Sequence, residues 1–480
     1  MTPGTATSTA ADSAADHPTL PRLNLVRTRA LASIPALDAE QQQVVAHRGS
    51  ALLVLAGPGT GKTTTLVEAM VDRLVGVDAC ERDQVLGLTF AAKAAQEWRD
   101  RVAIRLGGAG PQVSTFHSYA FSLVRKHAEA LRLQGPPRLL AGYEEQSTVH
   151  ELVHAALQVG RIPFPDDLRV AVLTTEFGRQ LRSSMARARA VGLDAERLHA
   201  AAGDNPAWVL AANLLQQYES YLEDRDAFDY SSLIVAATAA VQSPEISRSV
   251  HAQLRAVFVD EYQDTDPAQV QLLRAIVGPG CDVTIVGDPD QSIYAFRGAD
   301  VGAIFGFADA FGLPGRPART VVLRTCRRFG PLLRALADVG IGKVQYPGVL
   351  GWGQMREQHR APECVGGGAR PSASTAGGHV ADVVVCASPR VEAAAVAERI
   401  ARLHQQGNSL AEVVVLVRNS DQIPVLARAC IASGIAVDID GDEQPVVANG
   451  AVSTLLDAAL LVDDPQGLTD RKSTRLNSSH

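Results

Sequence analysis

The run Ala51-Leu52-Leu53-Val54-Leu55-Ala56 passes directly into Gly57-Pro58-Gly59-Thr60-Gly61-Lys62-Thr63, and a helical pattern starts at once and lasts to Leu74. Few folds accept that order. A short apolar run bounded by glycine reads as a buried strand. Glycines at 57, 59 and 61 let backbone N–H groups turn inward around an anion, where a Cβ would stand in the way. The helix that follows aims its partly positive N-terminus at the same point. In such a loop the lysine reaches the outer phosphates of a nucleotide and the next hydroxyl ligates Mg²⁺, here Lys62 and Thr63. The expected nucleotide-holding set is therefore Ala56, Gly57, Pro58, Gly59, Thr60, Gly61, Lys62, Thr63 and Thr64, with Ala56 standing where glycine usually opens the loop.

A second apolar run, Ala256-Val257-Phe258-Val259, ends in Asp260-Glu261. A strand-end acidic turn alone is ordinary. In a chain that also carries a phosphate loop, Asp260 is expected to hold Mg²⁺ directly or through water. Glu261, turned one position further, is expected to orient and deprotonate the attacking water. Asp260 follows Lys62 by nearly two hundred positions, so a domain is expected between the two strands.

Apolar runs at Val85–Phe90, Val283–Val286 and Val413–Val417 alternate with longer helical patterns, which is α/β architecture with parallel strands. Strand signals are nearly absent from Tyr119 to Tyr230, so that stretch reads as helical. Residues 1–36 read as a disordered tail, 353–379 as a Gly-rich loop, and Asp470–His480 as a non-native or truncated end that should be left out of fold reasoning. A chain of 480 residues suggests about three domains. The net charge of −7 excludes a uniformly basic nucleic-acid coat, so contacts with nucleic acid must be local. Six scattered cysteines without a CxxC argue against a zinc site or disulfide frame and fit a reduced cytosolic compartment. No apolar run reaches the roughly 20 residues needed to span a bilayer, and no signal peptide is visible.

Further motifs occur in a fixed order. Leu37-Asp38-Ala39-Glu40-Gln41 precedes the loop, and Leu88-Thr89-Phe90-Ala91-Ala92-Lys93 and Ser114-Thr115-Phe116-His117 follow it. Then come Asp260-Glu261-Tyr262-Gln263-Asp264-Thr265-Asp266-Pro267 and Gly287-Asp288-Pro289-Asp290-Gln291-Ser292-Ile293-Tyr294-Ala295-Phe296-Arg297-Gly298-Ala299. Over about residues 37–465 this series resembles the UvrD/PcrA/Rep superfamily-one DNA helicases, with a flavour of the AdnA-type helicase subunit of actinobacterial end-resection machines.

The resemblance implies a RecA-like P-loop NTPase lobe at 37–118 and 225–303, a helical insertion at 119–224, and an incomplete second RecA-like lobe at 304–469. It implies ATP and Mg²⁺ as ligands, with single-stranded and duplex DNA as partners. The implied activity is 3′-to-5′ translocation and unwinding in repair or recombination, in the cytoplasm and with no membrane partner. The alternative is an ATP-gated DNA-binding scaffold subunit of a helicase–nuclease, with a second subunit as partner and little unwinding of its own.

By the same resemblance, Gln41 reads the adenine edge, Gln291 senses the γ-phosphate, and Arg327, within Arg324-Thr325-Cys326-Arg327-Arg328, reaches it from the second lobe. Phe90, Tyr294 and Phe296 match aromatics on which bases stack, although core packing fits them too. Lys93, His117 and Arg297 match residues near the DNA, with a solvated or structural role as the plain alternative. Cys326 stands where the family's tyrosine stacks on adenine, and Thr64 where it often has arginine. Arg179, Arg182, Arg187 and Arg189 form either a phosphate-contacting stripe or a solvated basic face. The motifs that complete the second lobe are not seen, so the chain is expected to be the N-terminal half or so of a helicase and, as given, an inactive fragment that unwinds no duplex.

Overall fold

In chain order the strands are β1 (Ala51–Ala56), β2 (Val85–Thr89), β3 (Gln112–Thr115), β4 (Arg138–Leu139), β5 (Ala227–Phe228), β6 (Ala256–Val259), β7 (Asp282–Gly287), β8 (Arg319–Leu323), β9 (Thr325–Cys326) and β10 (Glu363–Cys364). They come from a computed structural model that describes residues 36–140, 142–159, 171–341, 363–364 and 382–439. The expected N-terminal tail, nearly all of the Gly-rich loop and the expected C-terminal tail lie outside the described residues. Two compact units divide the chain: Met1–Leu123, Ala237–Arg324 and Gly351–Ala361 make the first, and Val124–Ala236, Thr325–Leu350 and Pro362–His480 the second.

The first unit is built on a six-stranded sheet, parallel throughout, in the order β3-β2-β6-β7-β1-β8. Every residue of β1, β2 and β6 is buried. Burial on both faces is why these strands read as unbroken apolar runs rather than alternating ones. Around the sheet run α1 (Ala39–Val45), α2 (Lys62–Val75), α3 (Ala92–Leu106) and α4 (Phe116–Lys126). Leu66 and Met70 of α2 and Trp98 and Val102 of α3 share a core with Leu52, Val54 and Phe258 of the sheet. Helix α2 lies close on β2 because residue 87 is glycine. A Cβ there would stand 3.0 Å from both Met70 Cε and Val113 Cγ2. The far end of α2 is tied down by a largely buried ion pair between Arg73 and Asp282 at the start of β7.

Parallel strands put their carboxyl ends on one edge, and register decides which residues leave there together. Leu88, Val259, Ile285 and Leu53 lie in one row across β2, β6, β7 and β1. The segments that begin at Gly57, Phe90, Asp260 and Asp288 therefore leave the same edge, where open α/β sheets bind their ligands.

Two expectations about strands need correction. The lobe expected to end at Ala303 continues through two short helices, Gly302–Phe305 and Phe307–Phe311, into β8, which pairs in parallel with β1. Val413–Val417 is not a strand: no described segment supplies it with a ladder, and Val414 and Leu416 are 75% and 89% exposed.

In the second unit, the described residues form helices at Tyr143–Val159, Thr175–Ala190, Ala195–Ala202 and Pro206–Glu223, with the short parallel pair β4–β5 at their base. Leu140, Val153, Met185, Leu215 and Tyr218 belong to their shared core. Later in the chain, Pro389–Gln405 and Ile423–Ala432 pack through Ala397, Ile400 and Cys430. Among the described residues no helix is long and apolar enough to cross a membrane.

Candidate nucleotide and nucleic-acid site

The phosphate loop is shaped by two left-handed glycines, Gly59 at φ +76° and Gly61 at φ +91°. Thr60 is wholly buried between them, and its Oγ1 donates to Gly57 O at 2.7 Å, closing the turn. A Cβ on Gly61 would lie 2.8 Å from Gln41 Nε2, so this position needs glycine for space as well as for conformation. Gln41 is 3% exposed. Its Oε1 accepts from Asp38 N at 3.1 Å in a capping box that starts α1, and its Nε2 donates to Thr60 O at 3.3 Å. Gln41 thus fixes the loop from behind. Helix α2 has no side-chain cap at Gly61 and no acidic residue in its first turn, so its first N–H groups face the loop without a competing carboxylate from the helix itself.

Across from the loop, Lys62 Nζ donates to Glu261 Oε2 at 3.0 Å, and Thr63 Oγ1 donates to Asp260 Oδ2 at 3.4 Å. Asp260 is 5% exposed, and burial together with the charge of Glu261 pushes its carboxyl above the usual range. Such a carboxylate is short of positive charge, and a carboxylate and hydroxyl oxygen side by side suit a hard divalent cation. The donor set therefore fits Mg²⁺, with Thr63 and Asp260 as the residues to hold it. Glu261 occupies the left-handed region at φ 53° and ψ 47°, strained for a residue with a long side chain. That turn swings its carboxylate back toward Lys62.

The segment after β7 joins this centre to a group of aromatic rings. Gln291 Nε2 donates to Asp288 Oδ2 at 2.5 Å, and Asp288 N donates to Gln263 Oε1 at 3.0 Å. Farther along, the Tyr294 ring stacks on Phe90, with centroids 4.6 Å apart and planes at 27°. Phe296 follows at 6.1 Å from Tyr294 and is 66% exposed. Arg297 lies over both rings, 5.2 Å from one centroid and 5.6 Å from the other. Three rings and a guanidinium from two strand ends thus make one surface. Lys93 is exposed in the first turn of α3, and His117 is half-buried in the first turn of α4.

Arg327 belongs to the second unit, where it is exposed and its Nη1 donates to Thr325 O at 3.3 Å. Cys326 is wholly buried, its thiol toward Phe329 O, and so presents no face to a base. Arg179, Arg182, Arg187 and Arg189, open in the sequence to either a stripe or a solvated face, form neither as a set. Arg189 is buried in an ion pair with Asp229, Arg179 bonds Glu176 on its own helix, and Arg182 lies 3.7 Å from Glu145. Only Arg187 of the four is exposed without a carboxylate partner in the described structure. His150-Glu151-Leu152-Val153-His154 has the spacing of a helix-borne zinc motif, but no group of three or more His, Cys, Asp or Glu able to hold a metal occurs among the described residues.

Two buried polar residues escaped the sequence reading. Gln263, 1% exposed, donates from Nε2 to Glu261 Oε2 at 2.7 Å. Asp264 is pushed up to about 6 by burial, and its Oδ1 is buried without a hydrogen-bond partner among the described residues. Their only signal in the sequence was membership of the Asp260–Pro267 motif. A cavity of about 210 Å³ lined by Ser50, Arg274, Cys281 and Arg316 lies at the opposite, amino-terminal edge of the sheet and contains none of these groups.

The UvrD/REP helicase N-terminal domain family matches residues 37–312. The chain is 31% identical over 290 residues to the ATP-dependent DNA helicase UvrD1 of Mycobacterium leprae (strain TN), covering 57% of this chain and 36% of that protein. It is 28% identical over 268 residues to the ATP-dependent DNA helicase Rep of Escherichia coli (strain K12), covering 55% and 37%. It is 26% identical over 415 residues to DNA helicase II of the same organism, covering 85% and 52%. The matches thus span about a third to a half of the length of these relatives.

Proposed function

The chain belongs to the UvrD/REP helicase family, and from that premise we propose that it couples ATP hydrolysis to movement along single-stranded DNA and to duplex unwinding. The observation that carries the reading is the segment Gly287–Gly298. One end is bonded into the acidic centre through Asp288, and the other carries Tyr294, Phe296 and Arg297.

In this reading the loop N–H groups from Gly57 to Thr63 bind the phosphates, and Lys62 leaves Glu261 to neutralise the outermost one. Mg²⁺, when bound at Thr63 and Asp260, draws charge from the phosphate oxygens. Glu261, released from Lys62, accepts a proton from the attacking water. Gln291 stays within reach of the same centre through Asp288. Phe90, Tyr294 and Phe296 hold bases by stacking, which ignores sequence as a translocating protein requires. Residues 119–224 serve as a helical insertion, and the residues beyond Leu323 begin a second lobe. The direction is 3′ to 5′, and the role lies in DNA repair or recombination.

The test is steady-state ATP hydrolysis with and without oligo(dT), paired with strand displacement on duplexes bearing either a 3′ or a 5′ tail. In a protein that carries both lobes, stimulation by oligo(dT) and displacement only from the 3′ tail are expected. Hydrolysis without displacement from either tail would favour the scaffold-subunit alternative.

A further inference from the structure

We propose that Gln263 is a positioning residue that links the state of Glu261 to the segment carrying Tyr294 and Phe296. The inference rests on the nucleotide-site reading above and deepens it.

Gln263 sits in the single 3₁₀ turn Tyr262–Asp264, directly after the strained Glu261. Both ends of its buried amide are used. Nε2 donates to Glu261 Oε2 at 2.7 Å, and Oε1 accepts from Asp288 N at 3.0 Å. The amide has one productive orientation, since a flip would set oxygen against a carboxylate and NH₂ against an N–H. Ser292 Oγ adds a bond to Gln263 O at 3.2 Å. The strand end closes tightly over the amide: a Cβ on Gly287 would lie 3.1 Å from Gln263 Oε1.

The position matters because Glu261 Oε2 has two partners, Lys62 Nζ at 3.0 Å and Gln263 Nε2 at 2.7 Å. When a phosphate takes Lys62, one of the two is lost and the carboxylate moves with the other. Any movement of the Gln263 amide is felt at Asp288 N. Asp288 in turn holds Asp290 N at 3.0 Å and Gln291 Nε2 at 2.5 Å. Tyr294 follows Gln291 by three positions. The two states are therefore defined by one switchable bond, Lys62 to Glu261 or Lys62 to phosphate, which gives the link a physical basis beyond proximity.

The test is hydrogen–deuterium exchange on the whole 480-residue chain, with and without Mg·ATPγS, for the wild type, Gln263→Met and Gln263→Glu. In the wild type, nucleotide should slow exchange over residues 57–64 and change it over 287–297. Gln263→Met removes both amide bonds. It should keep the protection at 57–64, lose the response at 287–297, and raise the nucleotide-free exchange of the Asp288 amide by roughly five- to tenfold, the worth of one hydrogen bond. Gln263→Glu keeps an acceptor for Asp288 N and loses the donor to Glu261. It should leave Asp288 slow yet also lose the response. A preserved response at 287–297 in either variant overturns the proposal. Loss of protection at both segments in both variants also overturns it, because that is the mark of a purely structural residue. Absence of protection at 57–64 in the wild type removes the nucleotide reading itself and the inference with it, a failure visible before any substitution is made.

Discussion

Glu261→Gln should change nucleotide binding and turnover in opposite directions. In the nucleotide-free protein the Glu261 carboxylate occupies Lys62 Nζ at 3.0 Å, so it competes with the phosphate for the same cation. The pair is unequally exposed, 11% for the lysine side chain and 35% for the glutamate. Solvent therefore screens it, and its worth is that of a surface pair, about 0.2–1 kcal/mol. Neutralising Glu261 frees Lys62 and should tighten ATP binding by roughly 1.4- to 5-fold. Glutamine can hold the same left-handed turn and accept from Gln263 Nε2, so the loop should keep its shape. Removal of the general base should meanwhile slow hydrolysis by about 10²–10⁴. Titration with a fluorescent ATP analogue gives the first quantity, and phosphate release at saturating ATP gives the second. Clearly weaker binding would show that the carboxylate supports the nucleotide instead of competing with it. Undiminished turnover would refute Glu261 as the base.

Phe296→Ala should weaken single-strand affinity by about 1–3 kcal/mol and leave the melting temperature unchanged, since the ring is largely exposed; a lowered melting temperature with normal affinity would place the ring in the core. Arg189→Met strands the buried Asp229 carboxylate, which Arg189 and the Ser231 and Ser232 bonds now hold below its usual range. That change should destabilise the helical region by about 3–5 kcal/mol in urea denaturation, and a loss under 1 kcal/mol would argue against the pair's importance. Glu145 is pushed up to about 7 by burial and by the charge of Asp229, which Arg182 and Arg189 offset only in part. Its folded form binds a proton that the unfolded chain has already lost by pH 7, so its contribution favours folding below about 4.5 relative to high pH and is lost as pH rises through 7. Glu145→Gln should flatten that loss, stabilising the region at pH 8 by about 2–3 kcal/mol; an unchanged slope of stability against pH would place the titration elsewhere.

The features legible in the sequence are those whose chemistry is set by covalent neighbours. Gly59 and Gly61 must sit where φ is positive, Lys62 and Thr63 must open the helix, and Asp260 must end a strand; each follows from a few adjacent letters. Where the partner is distant, the letters were mute. Arg189 lies on a helix face that reads as basic, yet its partner Asp229 is 40 positions away, and a helical wheel does not say which face another element covers. Phe90 and Tyr294 match base-stacking aromatics in the sequence, but that they stack on each other is visible only in the fold. The run Val321–Leu323 is too short to announce a strand, and only non-local pairing shows that it extends the first sheet beside β1. Val413–Val417 has the apolar run of a buried strand and lacks the described neighbour that would make it one. Gln263 looked like one more motif residue, because the value of an amide with two fixed ends appears only when both ends are met.

The coupling of the phosphate loop to the aromatic surface is tested most directly by the equilibrium affinity for fluorescent oligo(dT), measured without nucleotide and at saturating Mg·ATPγS, in the wild type and in Lys62→Met. A shift of roughly fivefold or more is expected in the wild type, the lower end of typical coupling between sites, with no shift in Lys62→Met. Identical oligo(dT) affinities in the wild type, with nucleotide binding verified in the same sample, would contradict the coupling.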